Sequence, residues 1–384
     1  MNRFAAGKPV SFFLFFCLFL LRIPFAFAAE TPPAPVISAE AWLLVDHDSD
    51  RVLAEHNADK PLAPASLSKL MTAYLLFEKL SSGKLRLEES IAASEAALKA
   101  KGARLFLRPG EPATVEDLLK GMIALSANDA AVLLAEHVSG SEKNFVAEMN
   151  AKAQALGMKH THFANATGHD AEGQHATARD LGRLASALIR DFPDYYRWFA
   201  LKEFTYRQIK QYNHNALLWR DTSIDGLKTG QTRAAGYGLI ASGLREHMRL
   251  ITIVLGAKTE NARVEAGQKL IDYGFRHFET RLLYATSSPA TRVRVWLGDT
   301  RALPIGVPQN LYLTLPRGTH EKLRARLTLP ERVVAPVSLG QKVGSLALDL
   351  DQQHIAEYPL VALKEVGPGN LFQRSLDNIQ LWLQ

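Results

Sequence analysis

The side chains best suited to chemistry fall into three short groups. Ser66-Leu67-Ser68-Lys69 opens a stretch, residues 66–80, that is apolar with helical period after Pro64. On a helix, Ser66 and Lys69 lie one turn apart on one face, so the amine can reach the serine oxygen and take its proton. A helix start adds unpaired backbone N–H groups and the positive dipole end, both suited to a developing oxyanion. Ser126-Ala127-Asn128 lies between two apolar helical runs. A hydroxyl and an amide two apart on a tight turn can face one cleft, relay a proton and hold a substrate amide. Lys228-Thr229-Gly230 stands just before a strand-like run at 236–243. A cation and a hydroxyl beside a glycine that permits close backbone approach suit a carboxylate ligand.

Each group also has a plainer reading. A chain of this size shows about one or two Ser-x-x-Lys matches by chance. Ser81-Ser82-Gly83-Lys84 is such a second match, in a glycine-containing turn with no helical face to align it. Taken singly, Ser66 reads as readily as a helix cap, Ser126 or Asn128 as the cap of a helix from Ala130, and residues 228–230 as a surface turn. Metal chemistry has less to build on. His160 and His162 flank Thr161, and His169, Asp170 and His175 follow, but no His-Glu-x-x-His occurs and a zinc site needs a further ligand and a base. A polar loop is the simpler reading, and no metal or cofactor is expected. The single cysteine, Cys17, lies in the apolar run 10–21, which excludes thiol catalysis and Cys-ligated metal from the folded part.

The elements that position these groups belong to an ordinary globular chain of 384 residues, 47% hydrophobic and 22% charged. The formal charge of +6 is inflated by Arg3, Lys8 and Arg22, which lie before residue 29 where no acid stands. The small surplus that remains, spread along the chain, does not point to nucleic acid. A positive start, a Phe/Leu-rich run and Ala26-Phe27-Ala28 have the order of a secretory signal peptide, with cleavage after Ala28. Arg22 and Pro24 interrupt that run before the roughly 20 residues a bilayer needs. The mature chain is therefore expected in the periplasm, without cysteine. Two strands are expected at 41–45 and 51–54, helices at 115–125, 130–138, 142–156 and 178–190, two strands at 236–243 and 248–256, and a helix at 261–275. That order is α+β, with the first and last segments sharing one sheet. Beyond residue 278, short β-like runs spaced by Gly, Pro and Asp read as a small all-β module. The expected division is 1–28 signal, 29–277 enzyme domain, 278–366 β domain and 367–384 tail helix. The tail places Phe372, Leu376, Ile379 and Leu383 on one helical face, suited to packing on the β module or to lying in a membrane interface.

Order changes the weight of the three groups, because Ser-x-x-Lys, Ser-x-Asn and Lys-Thr-Gly in succession is the motif set of β-lactamases and penicillin-binding proteins. The sequence resembles the low-molecular-mass penicillin-binding proteins that act as serine-type D-alanyl-D-alanine carboxypeptidases. The likeness runs through Pro64-Ala65-Ser66-Leu67-Ser68-Lys69-Leu70-Met71-Thr72, Ser126-Ala127-Asn128-Asp129-Ala130, Gly173-Gln174 with Thr177-Ala178-Arg179-Asp180, and Asp225-Gly226-Leu227-Lys228-Thr229-Gly230, and covers essentially the whole mature chain.

The resemblance implies a transpeptidase-like α+β domain followed by a small β domain. It implies Ser66 as nucleophile, Lys69 as base and Ser126 in proton transfer. Asn128, Lys228, Thr229 and Gly230 would line the cleft, and Arg263, aligned through Gly256-Ala257-Lys258-Thr259, would face the substrate carboxylate with Thr229. The backbone N–H groups of Ser66 and Gln231 would form the oxyanion hole. The implied partners are peptidoglycan stem peptides and β-lactam antibiotics. Relatives often read His-Gly-Leu-Asp where this chain has Thr167-Gly168-His169-Asp170 and His or Thr where it has Gln231. The alternatives are a β-lactamase, for which no deacylating Glu can be nominated, an endopeptidase on cross-links, and a non-enzymatic wall-binding protein, which has no use for three ordered motifs.

Overall fold

Strands β1 (Ala41–Asp46) and β2 (Val52–His56) form a hairpin across the Asp- and Ser-rich turn. Strands β3 (Ile224–Thr232), β4 (Gly236–Arg245) and β5 (Met248–Ala257) follow one another antiparallel much later in the chain. They complete a five-stranded sheet of order β2-β1-β5-β4-β3. The structure is a computed structural model that describes residues 32–383; the signal read at 1–28 lies outside them. The shared sheet expected from sequence is present, with β1 paired to β5 from Ala41↔Leu255 to Asp46↔Leu250. One element departs from expectation: residues 228–230 are neither a turn nor a lead-in but part of the edge strand β3. Gly226, Lys228 and Gly230 carry little strand preference, and the pairing of Lys228 with Ile240 and Gly230 with Gly238 overrides it.

Both faces of this sheet are covered, and strand alternation divides the side chains between them. Ala41, Leu43 and Val45 face a large helical cluster, whereas Trp42 and Leu44 face helix α6 (Glu260–His277). The cluster is built from α1 (Lys69–Ser81), α2 (Val115–Ala124), α3 (Asn128–Ser139), α4 (Glu142–Ala155) and α5 (Ala178–Asp191). Helix α1 is apolar nearly all round, with Leu70, Met71, Ala73, Tyr74, Leu75, Leu76 and Phe77 buried, as a helix at the centre of a cluster must be.

The helix starts separate scaffold from site. Thr114, Ser141, Thr177 and Thr259 cap α2, α4, α5 and α6, each side chain accepting a first-turn N–H. Such a cap contributes about 1 kcal/mol. Helices α1 and α3 have no side-chain cap, although Ser68 and Asn128 stand at their starts. The Asn128 amide is used elsewhere, and the Ser68 hydroxyl is buried without a partner.

After α6 the chain enters an all-β region. Strand β6 (Phe278–Tyr284) pairs with β9 (Leu311–Pro316). Strands β7 (Thr291–Trp296), β8 (Ala302–Gly306), β10 (Leu323–Thr328), β11 (Val333–Val334), β12 (Lys342–Leu350) and β13 (Gln353–Ala362) make a six-stranded sheet of order β10-β12-β13-β8-β7-β11. Its core includes Val295, Leu303, Ile305, Leu346, Leu348 and Leu360. Fully buried Asp46, at the end of β1, accepts a 2.6 Å hydrogen bond from Thr280 of β6 and joins the two regions.

Helix α7 (Leu371–Trp382) docks on the β region by its polar side. Asp377, 3% exposed, accepts the Leu297 N–H at 2.7 Å, and Arg294 donates to Gln380 at 2.6 Å. The apolar face points outward, with Phe372 73%, Ile379 58% and Trp382 84% exposed. Of the two tail readings, packing of the apolar face on the β module is the one the structure overturns: a buried carboxylate with a backbone donor, not the Phe/Leu face, supplies the contact.

Candidate active site

Ser66 sits in the 3-10 turn Ala65–Ser68 that leads into α1. Ala65 holds φ 49°, a left-handed conformation that costs a side-chain-bearing residue about 1 kcal/mol. Such a cost persists where the surroundings over-determine the turn. One turn on, Lys69 is 2% exposed and its Nζ lies 3.1 Å from Ser66 Oγ. Nζ also donates to Asn128 Oδ1 and to the Thr167 carbonyl, each at 2.6 Å. A neutral amine has two N–H groups and one lone pair. With both N–H groups directed at those two carbonyl oxygens, the lone pair is left for the hydroxyl of Ser66. Burial, and then the Lys228 cation, push the Lys69 pKa well below that of a free lysine, and Asp129 opposes them weakly.

The start of α3 supplies the opposite wall. Asn128 is not a cap: its amide bridges Lys69 and the carbonyl of Lys101, the latter at 2.6 Å. Ser126 takes a left-handed φ of 62°, and its buried Oγ has no protein partner. A hydroxyl held there without a partner faces the cleft and is free to pass a proton. Asn128 thus joins α1, α3 and the segment before α2 at a single amide.

The third support was not legible as a motif. Asn165 Oδ1 accepts the N–H groups of Thr167, Gly168 and His169 at 3.2, 2.7 and 3.0 Å, and the Thr167 hydroxyl at 2.9 Å. This turn aims the Thr167 carbonyl at Lys69. Gly168 has φ +81°, and a methyl group there would lie 1.8 Å from the Ala65 carbonyl oxygen. The loop is pressed on the backbone that carries Ser66, so no larger residue fits. The available signal was an Asn three positions before a Gly, in the stretch where the chain departs from the resembled family.

On the sheet side, Lys228, Thr229 and Gly230 lie on β3, with Lys228 3% and Thr229 5% exposed. Burial, and then Arg263, lower the Lys228 pKa to about 7. Arg263, in the first turn of α6, donates to Glu260 at 2.7 Å and approaches the Gly230 carbonyl at 3.4 Å. Ser66, Ser126, Asn128, Thr229, Gly230, Gln231 and Arg263 line one cleft of about 600 Å³. Lys69 and Lys228 lie beneath its surface. His169 and Asp170, from the stretch that departs from the resembled family, also line it, as does His214, which sequence reading did not single out. Burial, and then Lys228 and Arg263, lower the His214 pKa.

The rival groups lie elsewhere. Ser81 and Lys84 are exposed at the far end of α1. His162 and His175 face each other across a bridge with ring centroids 6.3 Å apart, outside the cleft lining. Among the described residues, no three His, Cys, Asp or Glu side chains gather as a metal-binding group.

Comparison with known proteins finds likeness over nearly the whole chain. The family profile of D-alanyl-D-alanine carboxypeptidases matches residues 27–259, and that of the penicillin-binding protein 5 C-terminal domain matches 278–368. The D-alanyl-D-alanine carboxypeptidase DacC of Escherichia coli is 41% identical over 99% of this chain and 96% of its own length. DacA of the same organism is 40% identical over 91% of this chain and 89% of its own. Among solved structures, penicillin-binding protein 5 of Haemophilus influenzae has a TM-score of 0.83 at 36% identity, covering 87% of this chain and 99% of that one. Ampicillin-bound penicillin-binding protein D2 of Listeria monocytogenes has a TM-score of 0.59 at 35% identity, over 63% of this chain and 100% of that one.

Proposed function

Because the chain belongs to the D-alanyl-D-alanine carboxypeptidase family, we propose that it removes the terminal D-alanine from peptidoglycan stem peptides through an acyl-enzyme on Ser66. The observation that carries this reading is the 3.1 Å approach of Lys69 Nζ to Ser66 Oγ, with the other two directions of the amine occupied by Asn128 and Thr167. Lys69, neutral through burial and the nearby Lys228, takes the Ser66 proton as Oγ attacks the carbonyl between the last two residues. The oxyanion is received by the N–H groups of Ser66 and Gln231. Thr229 and Arg263 hold the substrate carboxylate, and Asn128 and Lys228 line its path. When the C–N bond breaks, the proton returns from Lys69 by way of Ser126 to the departing amine. Water then attacks the ester and Lys69 takes its proton; as the bond from the acyl carbon to Ser66 Oγ breaks, Lys69 returns that proton to Oγ, and the carboxylic acid leaves. A β-lactam offers the same attack on its ring amide and leaves an ester that hydrolyses slowly.

The rest of the chain fits this work. Residues 1–28 would export the protein to the periplasm, 29–277 form the enzyme domain, 278–366 the β domain, and 367–384 the tail. With Asp377 docked, the outward face of α7 carries Phe372, Ile379 and Trp382 and suits peripheral contact with a membrane surface. Truncation after Gly367 should reduce sedimentation with lipid vesicles while terminal D-alanine release persists. Mass spectrometry after penicillin treatment tests the central reading: a single adduct mapped to Ser66 is expected, and an adduct on another residue would overturn it.

A further inference from the structure

Resting on that acyl-transfer reading, we propose that Asp129 is a positioning residue, whose carboxylate fixes the cleft wall 101–107 and, through that wall, the amide of Asn128 against Lys69. The wall is neither helix nor strand, yet Leu105 and Leu107 are buried in it. Its backbone groups must find partners away from water. They find them at two consecutive residues. The carbonyls of Lys101 and Ala103 accept from the side chain and main chain of Asn128 at 2.6 and 2.7 Å. The N–H groups of Leu105 and Leu107 donate to the two oxygens of Asp129 at 2.9 and 3.3 Å. Every second residue of the wall is therefore held, as in a β-ladder, by the first turn of a helix.

Asp129 is placed to hold the wall. It is 1% exposed, and among the described residues no cationic side chain forms an ion pair with it. The Ala130 N–H, at 2.9 Å, ties its carboxylate to α3. Two further features show the wall to be closely fitted to α3. Phe106, between the two clamped N–H groups, takes a left-handed φ of 61° and is turned out to 55% exposure. At Gly102 an added methyl group would lie 2.8 Å from Asn128 Nδ2, so any inward slip of the wall displaces the amide that orients Lys69.

Asp129→Asn places an NH2 group against one of the two donated N–H groups and releases the wall on that side. Misplacement by a fraction of an ångström to one ångström costs roughly ten- to a hundredfold in rate. Penicillin acylation and kcat for D-alanine release should both fall by that factor. Asp180→Asn is the control: Asp180 is also 1% exposed and accepts the His160 N–H and Thr161 hydroxyl at 2.9 Å, outside the cleft lining. It should lower Tm and leave the acylation rate within about twofold. The pH profile gives a readout that mere destabilisation does not move. The charged groups acting on Lys69 are Lys228 from β3 and Asp129 from α3. Losing the anion lowers the Lys69 pKa further, so the acid limb of the acylation profile should move to lower pH in Asp129→Asn.

Hydrogen exchange on the unmodified protein decides the matter if the variant does not fold. The amides of Leu105 and Leu107 should exchange slowly, and exchange at the rate of an open loop would remove the clamp. An Asp129→Asn enzyme that acylates within twofold of the parent with an unmoved acid limb would overturn the proposal. So would an Asp180→Asn enzyme that loses as much rate. Retention of D-alanine release by the parent protein in all these cases leaves the acyl-transfer reading standing, which separates the two failures.

Discussion

Helix α1 carries the same tetrad pattern, Ser-x-x-Lys, at both ends, and the two ends are opposite in chemistry. At the start, Ser66 and Lys69 straddle the entry from a 3-10 turn, and the amine is buried between Asn128 and Thr167. At the finish, Ser81 is the last helical residue, Gly83 has φ +71°, and the N–H groups of Lys84 and Gly83 close back on the carbonyls of Lys79 and Leu80 at 2.9 and 3.0 Å. That is a Schellman stop: its serine and lysine are exposed, and its backbone satisfies itself. The motif is therefore not the site. What differs is whether other segments converge on the pair, and at the start three do: α3, the Asn165 loop and β3.

Nucleophile substitution breaks the comparison most sharply. Ser66→Ala should abolish penicillin labelling, because the other serine of the cleft lining, Ser126, has no amine hydrogen-bonded to its hydroxyl. Ser81→Ala should label like the parent. Residual labelling in Ser66→Ala, read on a gel with a fluorescent penicillin, would remove the asymmetry.

Changing the base comes next. Lys69→Arg keeps the charge and much of the length but cannot act as a base, since guanidinium stays protonated. Acylation should fall by about 10³-fold, the middle of the range for a positioned base. Lys84→Arg should change nothing measurable. The same assignment fixes a pH dependence. Lys69 is depressed by burial and by Lys228, so it becomes neutral, and the acylation rate rises, at a pH below that of an ordinary lysine. Burial, and then Arg263, bring Lys228 to about 7, so its own charge is lost in the same direction. The sign for stability is opposite to that of a stabilising pair. A native state that resists protonating these amines loses stability as pH falls from the free-lysine range toward their folded values. A flat rate from acid to alkaline pH, or an active Lys69→Arg enzyme, would assign the proton to another group.

How much of this was legible follows from which forces decide each part. Periodicity located helices α1 to α6 within a few residues, because each buries an apolar stripe that repeats along the chain. The pairs Ser66–Lys69 and Ser126–Asn128 were legible because a short stretch of helix or turn sets their spacing. Strand β3 was not, since its glycines and Lys228 gain strand geometry only by pairing with β4. Strand β6 is hard to read for a similar reason, as its pairing partner β9 lies some way along the chain. The Thr167 carbonyl was out of reach altogether: a backbone atom carries no residue-type signal, and only the folded loop aims it at Lys69. The apolar face of α7 was legible as a stripe, but which side docks was decided by one carboxylate, Asp377, reaching one N–H.

The two left-handed glycines near the ends of α1 sharpen the comparison without touching a reacting atom. Gly168→Ala should act at the start. Its methyl group would lie 1.8 Å from the Ala65 carbonyl and 3.1 Å from the Ser66 nitrogen, so the loop, the nucleophile turn or both must move. Since the displaced groups are backbone, they cannot swing aside. Acylation should fall about a hundredfold, the cost of a displacement near 1 Å. Parent-like acylation would mean that the Thr167 carbonyl does not hold Lys69 in place.

Gly83→Ala should have the smallest effect. Its φ of +71° is also left-handed, but nothing lies within 4 Å of the position its methyl group would take. The only cost is intrinsic, about 1 kcal/mol for an L-residue in that conformation. For a domain of this size that corresponds to a Tm lowered by about 2–4 °C. The acylation rate should not change, because the Schellman closure ends in solvent and the helix between the two ends is held by its own buried core. Thermal unfolding and penicillin acylation, measured on one preparation, separate the two consequences. A fall in acylation with the small fall in Tm would mean that fraying at the end of α1 reaches Lys69, and that the two Ser-x-x-Lys sites are not independent. An unchanged rate with a lowered Tm would place the chemistry of α1 wholly in the convergence at its first turn.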